Sequence, residues 1–201
     1  MKLFHSPASC SLSPAIALFE AGLPVELVKV DLRSKTTEHG ADYRTINPLG
    51  YVPALQLDDG EILVEGPAIV QFIADLAPAS GLAPANGTRE RYRLQSALAF
   101  INSELHKGIG VLFAPGLSDE EKAGMTKRIR YRLDQHEAQW GERTWFLGEG
   151  FTVADGYQFE VLNWQQYVGM DLADWPKLAA HSARVRARPA VQAAMKAVGL
   201  G

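Results

Sequence analysis

The stretch Ser9-Cys10-Ser11-Leu12-Ser13-Pro14 decides how the beginning of this chain folds. A short apolar segment, Lys2-Leu3-Phe4-His5, precedes it, and an apolar run, Ala15-Ile16-Ala17-Leu18-Phe19, follows it. The pattern predicts a strand, a turn and a helix, with the Cys10 thiol at the helix start. Unpaired backbone N–H groups and the positive end of the helix dipole lie there and lower the pKa of a thiol. Cys10 is therefore either a reactive thiolate or a small buried hydrophobic residue.

The composition excludes several classes of protein. The 201 residues, 47% of them hydrophobic and 21% charged, suffice for one large domain or two small ones. A net charge of -3 and the lack of a basic stripe give no reason to expect nucleic acid or a membrane surface as partner. A single cysteine excludes an internal disulfide. Without a signal peptide or a run of ~18 apolar residues, a cytoplasmic protein is expected.

The first 77 residues carry signals for both strands and helices. Gly22-Leu23-Pro24 stops the first helix, and Asp58-Asp59-Gly60 between two apolar runs is typical of a β-hairpin. Pro53 cannot donate a backbone hydrogen bond, so it must open its strand or lie at the sheet edge. The order βαβαββα predicts a thioredoxin-like domain at 1–77. Its predicted elements are strands at 2–5, 26–31, 52–57 and 61–64, helices at 12–20 and 68–76, and a loop with a short helix at 33–43.

The remaining residues predict helices alone. Residues 78–87 are rich in proline, alanine and glycine and predict a linker. Apolar residues at three- and four-residue spacing predict an amphipathic helix over 89–113. Capping boxes at 118–121 and 152–155 predict two further helix starts. We therefore expect an all-helical domain at 88–201, so that the fold class is α/β followed by all-α.

This arrangement, a thioredoxin-like domain followed by a helical bundle, resembles that of the glutathione S-transferases. Val52-Pro53-Ala54-Leu55 resembles the cis-proline strand opening of that family, Glu65-Gly66 its γ-glutamyl-binding pair, and 151–155 its conserved capping box and hydrophobic staple. Further motifs in matching order resemble the bacterial beta class. They are Met1-Lys2-Leu3, the Cys10 stretch, Asp31-Leu32-Arg33-Ser34-Lys35, Asn47-Pro48-Leu49-Gly50 and Glu104-Leu105-His106-Lys107-Gly108.

The resemblance implies which residues form the site. Its catalytic group is Cys10, Ser11 and His106, with His106 holding a thiolate as an ion pair or through a hydrogen bond. Ser11 is expected to donate a hydrogen bond to the sulfur, to cap the helix, or both. The implied glutathione-binding residues are Lys35, Tyr51, Val52, Pro53, Glu65, Gly66, Ser103, Glu104 and Lys107.

Several of these residues have implied roles along the tripeptide. The open N–H and C=O of Val52 suit pairing with the cysteinyl part, like an added strand. The N–H of Gly66 and the helix dipole suit the γ-glutamyl carboxylate, and Glu65 suits the ammonium. Lys35 matches the lysine for the glycine carboxylate, and Glu104 is implied to reach the glutathione amine bound in the partner subunit. Each of these roles has an ordinary alternative. Val52 can be a core residue, Glu65 an acid favoured by the helix dipole alone, and Lys35 a solvated surface charge.

The implied function is that of a homodimeric detoxification enzyme without a metal, which joins glutathione, as co-substrate, to small hydrophobic electrophiles. The chain has no second cysteine, so a redox cycle between two of its own thiols is excluded. Cys10 can instead form a mixed disulfide with glutathione, which a second glutathione resolves. Three positions depart from the beta-class pattern: Leu49 and Tyr51 replace its lysine and glutamine, and Ala99 replaces its asparagine. The alternative is a non-catalytic protein on the same fold that binds glutathione or hydrophobic ligands or has a regulatory role.

Overall fold

A computed structural model describes residues 1–148 and 150–200 of the chain. The chain divides into two compact units. The first unit consists of Met1–Ala85 and the segment from Ala187 onwards, and the second is Asn86–Arg186. The first unit contains the only sheet among the described residues, and the second is helical, so the expected fold class is confirmed.

The sheet of the first unit has five strands in the order β3-β2-β1-β4-β5. The strands β1 and β2 are parallel, and the other pairs are antiparallel. Leu3 in the centre of β1 lies opposite Leu27 on one side and Leu55 on the other. The strand bounds are β1 Lys2–His5, β2 Glu26–Asp31, β3 Thr36–Thr37, β4 Ala54–Gln56 and β5 Ile62–Val64.

Two helices of the first unit pack against each other: α1, Leu12–Ala21, and α2, Gly66–Leu76. A parallel pair of strands needs a crossover connection, and α1 provides it between β1 and β2. Gly22 ends α1 in the left-handed conformation, and its N–H bonds to the Leu18 and Phe19 carbonyls. The cost of a left-handed conformation is least for glycine, which explains the predicted stop.

The segment between β2 and β4 differs in detail from the prediction. Where a short helix was expected at 33–43, the structure has the two-residue strand β3 and a single 3-10 turn at Tyr43–Thr45. The Asp42 side chain accepts the Arg44 N–H and so favours a tight turn over a longer helix. Strand β4 is shorter than predicted because it begins only after Pro53, which has no N–H to donate, and β5 begins one residue later than predicted.

The second unit begins with one long helical run that changes geometry part-way. It passes from α3, Arg89–Phe100, into a π-helical segment, Ile101–His106, and then into α4, Lys107–Gly110. The apolar spacing predicted the run but not the π-helical segment. The other helices are α5, Asp119–Trp140, α6, Val153–Asn163, and α7, Pro176–Arg186. None of the described helices is long and apolar enough to cross a membrane.

Both predicted capping boxes are present in the helical unit. Ser118 and Glu121 form an exposed capping box at the start of α5. Thr152 and Asp155 form a buried capping box at the start of α6. The helix α6 is buried along nearly its whole length, as its apolar sequence indicates.

The last helix, α8, Pro189–Ala197, belongs to the first unit, which differs from the expected domain at 88–201. It packs against α1 with Val191 and Ala194 fully buried. The guanidinium of Arg188 pairs with the Glu20 carboxylate, with Nη2 at 2.7 Å from Oε2. The spacing of apolar residues along a helix carries no information on which unit that helix packs against.

Candidate functional site

The thiol of Cys10 lies in the turn between β1 and α1, directly before the helix. Its Sγ donates a hydrogen bond to the backbone carbonyl of Val52 at 3.0 Å, and the side chain is partly buried. The Val52-Pro53 peptide bond is cis. Two motifs that are 42 residues apart in sequence are therefore in direct contact in the first unit.

Ser11 holds the turn that presents Cys10. It is fully buried, and its hydroxyl accepts the Ser6 N–H at 3.1 Å and lies 2.7 Å from the Ser9 hydroxyl. It occupies the cap position of α1, but its side chain makes no capping hydrogen bond. Its hydroxyl also donates to the Ser6 carbonyl at 3.1 Å, so its described bonds stay within the turn. Ser11 thus supports the turn that presents Cys10, and its hydrogen bond to the sulfur stays a prediction.

The backbone before Pro53 is held by two buried side chains. The carbonyl of Tyr51 accepts the Tyr43 hydroxyl at 2.8 Å and the Asn47 amide at 2.7 Å. Burial raises the pKa of Tyr43 to about 12, so its hydroxyl remains a donor at neutral pH. The Tyr51 ring itself is 67% exposed. This segment is thus fixed from behind while the Tyr51 ring faces solvent.

The structure corrects one expectation at Val52. The sequence predicted that both backbone groups of Val52 are open to a ligand, but the carbonyl accepts the Cys10 thiol. The side chain packs in the core with residues that include Phe4 and Tyr43. The Val52 side chain therefore packs in the core, and its backbone carbonyl contacts the thiol.

Lys35 lies over the turn that contains two of the sequence departures. Its Nζ donates to the Gly50 carbonyl at 2.9 Å and lies 5.8 Å from the centre of the Tyr51 ring. Gly50 has a φ of 65°, which favours glycine, and a Cβ there would also be 3.1 Å from Lys35 Cδ. Leu49 is 67% exposed beside it. The ammonium of Lys35 is therefore held at the edge of the turn at 47–51.

Glu65 and Gly66 form the start of α2 next to the cis proline. Glu65 has a φ of 71°, in the left-handed region, and its carbonyl accepts the N–H groups of Ala68 and Ile69. A non-glycine residue in that region stores strain, which is found most often at functional sites. A Cβ at Gly66 would lie 3.9 Å from Pro53 Cγ, so the helix start adjoins the strand opening.

His106 ends the π-helical segment of the second unit. Its Nδ1 lies 2.6 Å from the Tyr157 hydroxyl, and its ring meets Trp164 edge-on at 4.8 Å. Burial, together with the positive charge of Lys107, lowers the pKa of His106 to about 4. The imidazole is therefore neutral at pH 7. Of the two roles expected for it, the hydrogen bond is compatible with this state, whereas the ion pair requires an imidazolium.

The other predicted residues of the second unit meet at a pocket of about 300 Å³. Ser103, Glu104 and Lys107 line it, with Arg132 among the residues of α5 on its other side. The Glu104 carboxylate pairs with the Arg132 guanidinium at 2.7 Å. The carboxylate that was expected to meet an amine thus already has a cationic partner within this unit.

Two polar side chains near His106 were missed in the sequence. The motifs gave neither Tyr157 nor Asn102 a role at the site. The Tyr157 hydroxyl donates to Asn102 Oδ1 at 2.9 Å and contacts His106, which is 51 residues away. Only Ala99, where the beta class has asparagine, gave a signal. Ala99 is exposed, and Asn102 further along the same helical run supplies an amide near His106.

The models of two domain families match this chain. The N-terminal domain of glutathione S-transferases matches residues 8–76, and their C-terminal domain matches residues 100–189. The chain belongs to the glutathione S-transferase family. The glutathione S-transferase GstA of Escherichia coli O157:H7 is 42% identical to it over 201 residues, which is the full length of both chains.

Solved structures of bacterial glutathione S-transferases are also similar to this chain. One is a sphingomonad glutathione S-transferase complexed with glutathione, with 51% identity and a TM-score of 0.96. Another is a beta-class glutathione S-transferase from Sphingomonas chungbukensis, with 47% identity and a TM-score of 0.96. In both comparisons the whole of each chain is covered. The similarity to the beta class that the motifs predicted is confirmed.

Proposed function

We propose that this chain is a glutathione transferase that joins the sulfur of glutathione to small hydrophobic electrophiles and exchanges disulfides with glutathione through Cys10. The observation that carries the proposal is the contact between the Cys10 thiol and the Val52 carbonyl, next to the start of α2 at Gly66. Family membership supports the transfer reaction, and the complex of a similar sphingomonad protein with glutathione supports the co-substrate.

In this proposal glutathione lies along the first unit as an extended peptide. The N–H of Val52 pairs with its cysteinyl part, and the N–H of Gly66 with the helix dipole receives the γ-glutamyl carboxylate. The Glu65 side chain is exposed and so is accessible to the ammonium of the ligand. The Lys35 ammonium, near the exposed Tyr51 ring, attracts the glycine carboxylate.

The helical unit completes the proposed enzyme. His106 assists the thiol chemistry, and the pocket lined by Ser103, Glu104 and Lys107 contributes to glutathione binding across a homodimer. The pairing of Glu104 with Arg132 at 2.7 Å holds its carboxylate at the pocket wall, where an amine can share it. A single cysteine requires no oxidising compartment, which supports a cytoplasmic location for this chemistry.

The disulfide exchange balances with glutathione alone. The Cys10 thiolate attacks one sulfur of oxidised glutathione, a new S–S bond forms, and one glutathione leaves with the electron pair of the broken bond. A second glutathione thiolate then attacks the glutathione sulfur of the mixed disulfide. This step regenerates Cys10 and oxidised glutathione, so with glutathione alone the cycle exchanges disulfides without net turnover, and it needs no second cysteine in the chain.

Intact-mass spectrometry of the purified protein with oxidised glutathione tests the exchange. We expect one reducible adduct of about 305 Da, which the Cys10→Ser variant does not form. If the wild-type protein never gains this mass, the disulfide reaction of Cys10 is excluded. Tryptic digestion of the adduct checks that the added mass is on the Cys10 peptide.

The transfer reaction is tested separately with glutathione and a chlorodinitrobenzene as the electrophile. We expect product to form at a rate proportional to enzyme concentration. A protein that is retained on immobilised glutathione but gives no product with any electrophile is the non-catalytic alternative. Unchanged turnover in Cys10→Ala would restrict Cys10 to disulfide exchange or to binding.

A further inference from the structure

Three side chains of the helical unit form a hydrogen-bonded chain that ends at His106. The Tyr157 hydroxyl donates to Asn102 Oδ1 at 2.9 Å and lies 2.6 Å from His106 Nδ1. Tyr157 is 2% exposed and stands in α6, whereas the other two residues belong to the π-helical segment. π-helical turns occur frequently at functional sites. This series of hydrogen bonds therefore connects the core of the helical unit to the end of the π-helical segment.

The positions of the hydrogens follow from counting them. A phenol has one hydrogen, and that of Tyr157 is directed to Asn102. With the amide oxygen of Asn102 facing Tyr157, the Tyr157 oxygen presents a lone pair to His106, and Nδ1 supplies the hydrogen of that bond. Because His106 is neutral at pH 7, its ring has only one N–H. Its Nε2 consequently carries a lone pair and is an acceptor.

The ring plane of His106 is fixed as well. Trp164 meets it edge-on, with ring centres 4.8 Å apart and planes at 78°, and Tyr157 meets it at 5.8 Å and 83°. Phe113 packs against Trp164 in turn, with ring centres 6.2 Å apart. A Cβ at Gly110 would be 3.8 Å from His106 Cδ2, so the edge of the ring beside Nε2 lies next to a residue without a side chain.

We infer that Tyr157 and Asn102 are positioning residues that hold His106 as the Nδ1–H tautomer, with Nε2 ready to accept a thiol proton. The inference rests on the proposed function, which supplies glutathione as the thiol. Neither Tyr157 nor Asn102 gains or loses a proton in the reaction. Their role resembles that of the groups that fix the tautomer of a histidine by bonding its other nitrogen.

The proton transfer is part of a balanced conjugation step. The S–H bond of glutathione breaks, its proton goes to His106 Nε2, and the sulfur keeps the electron pair. That pair forms the S–C bond with the electrophile, whose leaving group departs with its own bonding pair. The imidazolium then returns its proton to water. The opposite tautomer would present an N–H at Nε2 and could not accept the proton.

The Tyr157→Phe variant is the primary test, because it removes the hydroxyl and keeps the ring. Heteronuclear NMR of isotope-labelled histidines reads the tautomer of His106, and steady-state kinetics with a chlorodinitrobenzene reads its function. We expect the Nδ1–H form in the wild type, a shift toward Nε2–H in the variant, and a decrease of kcat on the order of tenfold. The KM for glutathione stays within about twofold, since the contact acts only on the chemical step.

Matched variants separate this role from a general loss of packing. Tyr92→Phe removes an exposed hydroxyl on α3 and should change neither the tautomer nor kcat. Asn102→Asp keeps an oxygen acceptor for Tyr157 and should preserve the tautomer, whereas Asn102→Leu should shift it as Tyr157→Phe does. If Tyr157→Phe does not fold, the comparison of the two Asn102 variants decides the question.

Two results would overturn the inference. One is an Nε2–H tautomer of His106 in the wild-type protein, and the other is an unchanged tautomer in Tyr157→Phe and Asn102→Leu. A wild-type protein with no transferase activity would instead overturn the proposed function. The NMR measurement needs no turnover, so the failure of one proposal is distinguishable from the failure of the other.

Discussion

Tyr157 and Gln158 are neighbours in α6, yet their side chains belong to two different hydrogen-bonded networks. Tyr157 bonds to His106, whereas the Gln158 amide lies between His136 Nε2 at 2.6 Å and His181 Nδ1 at 3.1 Å. Burial lowers the pKa of both His106 and His136 to about 4. Burial and a lowered pKa therefore do not distinguish a structural histidine from a candidate base.

What differs is how the two networks end. The second network closes on Asp155, whose Oδ1 lies 2.9 Å from His181 Nε2 and accepts the Phe146 N–H at 2.6 Å. The other Asp155 oxygen accepts the N–H and the hydroxyl of Thr152. Among the described residues, His106 bonds through Nδ1 alone. A network with a partner at each end stabilises the fold, and one that stops at a ring nitrogen can take part in chemistry.

The largest expected effect is on the free energy of unfolding, when the Asp155 carboxylate at the end of the second network is removed. Asp155→Ala removes the acceptor of four buried hydrogen bonds. We expect the free energy of unfolding to decrease by about 4 kcal/mol, because unsatisfied buried donors are costly. Urea unfolding followed by circular dichroism measures it, with the exposed Glu142→Ala as control, for which the change should be within about 0.5 kcal/mol. A loss as small as that of the control would contradict a structural role for this network.

The next effect concerns pH and should be shared by both networks. In the folded protein the pKa of His106 and of His136 is lowered from 6.5 to about 4. Between these two pH values the unfolded chain therefore binds protons at both residues and the folded chain does not. Stability therefore falls as the pH falls. From pH 7 to pH 5 we expect a loss of about 2 kcal/mol for each of the two residues.

His106→Gln and His136→Gln are the matched variants for this pH dependence. Each removes one titrating group, so each should reduce the loss between pH 7 and pH 5 by a similar amount. The measurement is the difference between urea unfolding curves at the two pH values, not the absolute stability of either variant. A reduction in only one variant would mean that burial does not act equally on the two rings.

The smallest expected effect on stability is that of Tyr157→Phe. The variant loses one hydroxyl but leaves the His106 and Asn102 side chains in place, so we expect a decrease of about 1 kcal/mol in the free energy of unfolding. The same urea unfolding experiment measures it. If Tyr157→Phe is as destabilising as Asp155→Ala, the distinction between a structural and a functional network does not hold.

Local patterns in the sequence predicted much of the fold. The stop at Gly22, the hairpin at Asp58-Asp59-Gly60 and both capping boxes depend on residues close together in the chain, and all are present. The motifs around Cys10 and Val52 were also correctly expected to lie close together, since the resemblance related them. Such signals are readable because turn and cap chemistry demands particular residues at fixed offsets.

Contacts between distant residues could not be predicted in this way. The apolar spacing of 89–113 continues through the π-helical segment, so it gave no sign of the change in geometry. The bond between Tyr157 and His106 joins residues 51 positions apart, and nothing in either neighbourhood requires it. The use of the Val52 carbonyl by Cys10 was missed because a backbone acceptor has no residue type to identify it.

The packing of α8 against α1 has a consequence for the order in which the protein is made. Glu20 and Arg188, which pair across these helices, are 168 residues apart. A ribosome releases α1 early, but the face of α1 that α8 covers stays exposed until α8 emerges. The helical unit, whose residues are contiguous in the chain, can complete its core before then. The first unit therefore completes its folding after the helical unit, although α1 is synthesised before any residue of that unit.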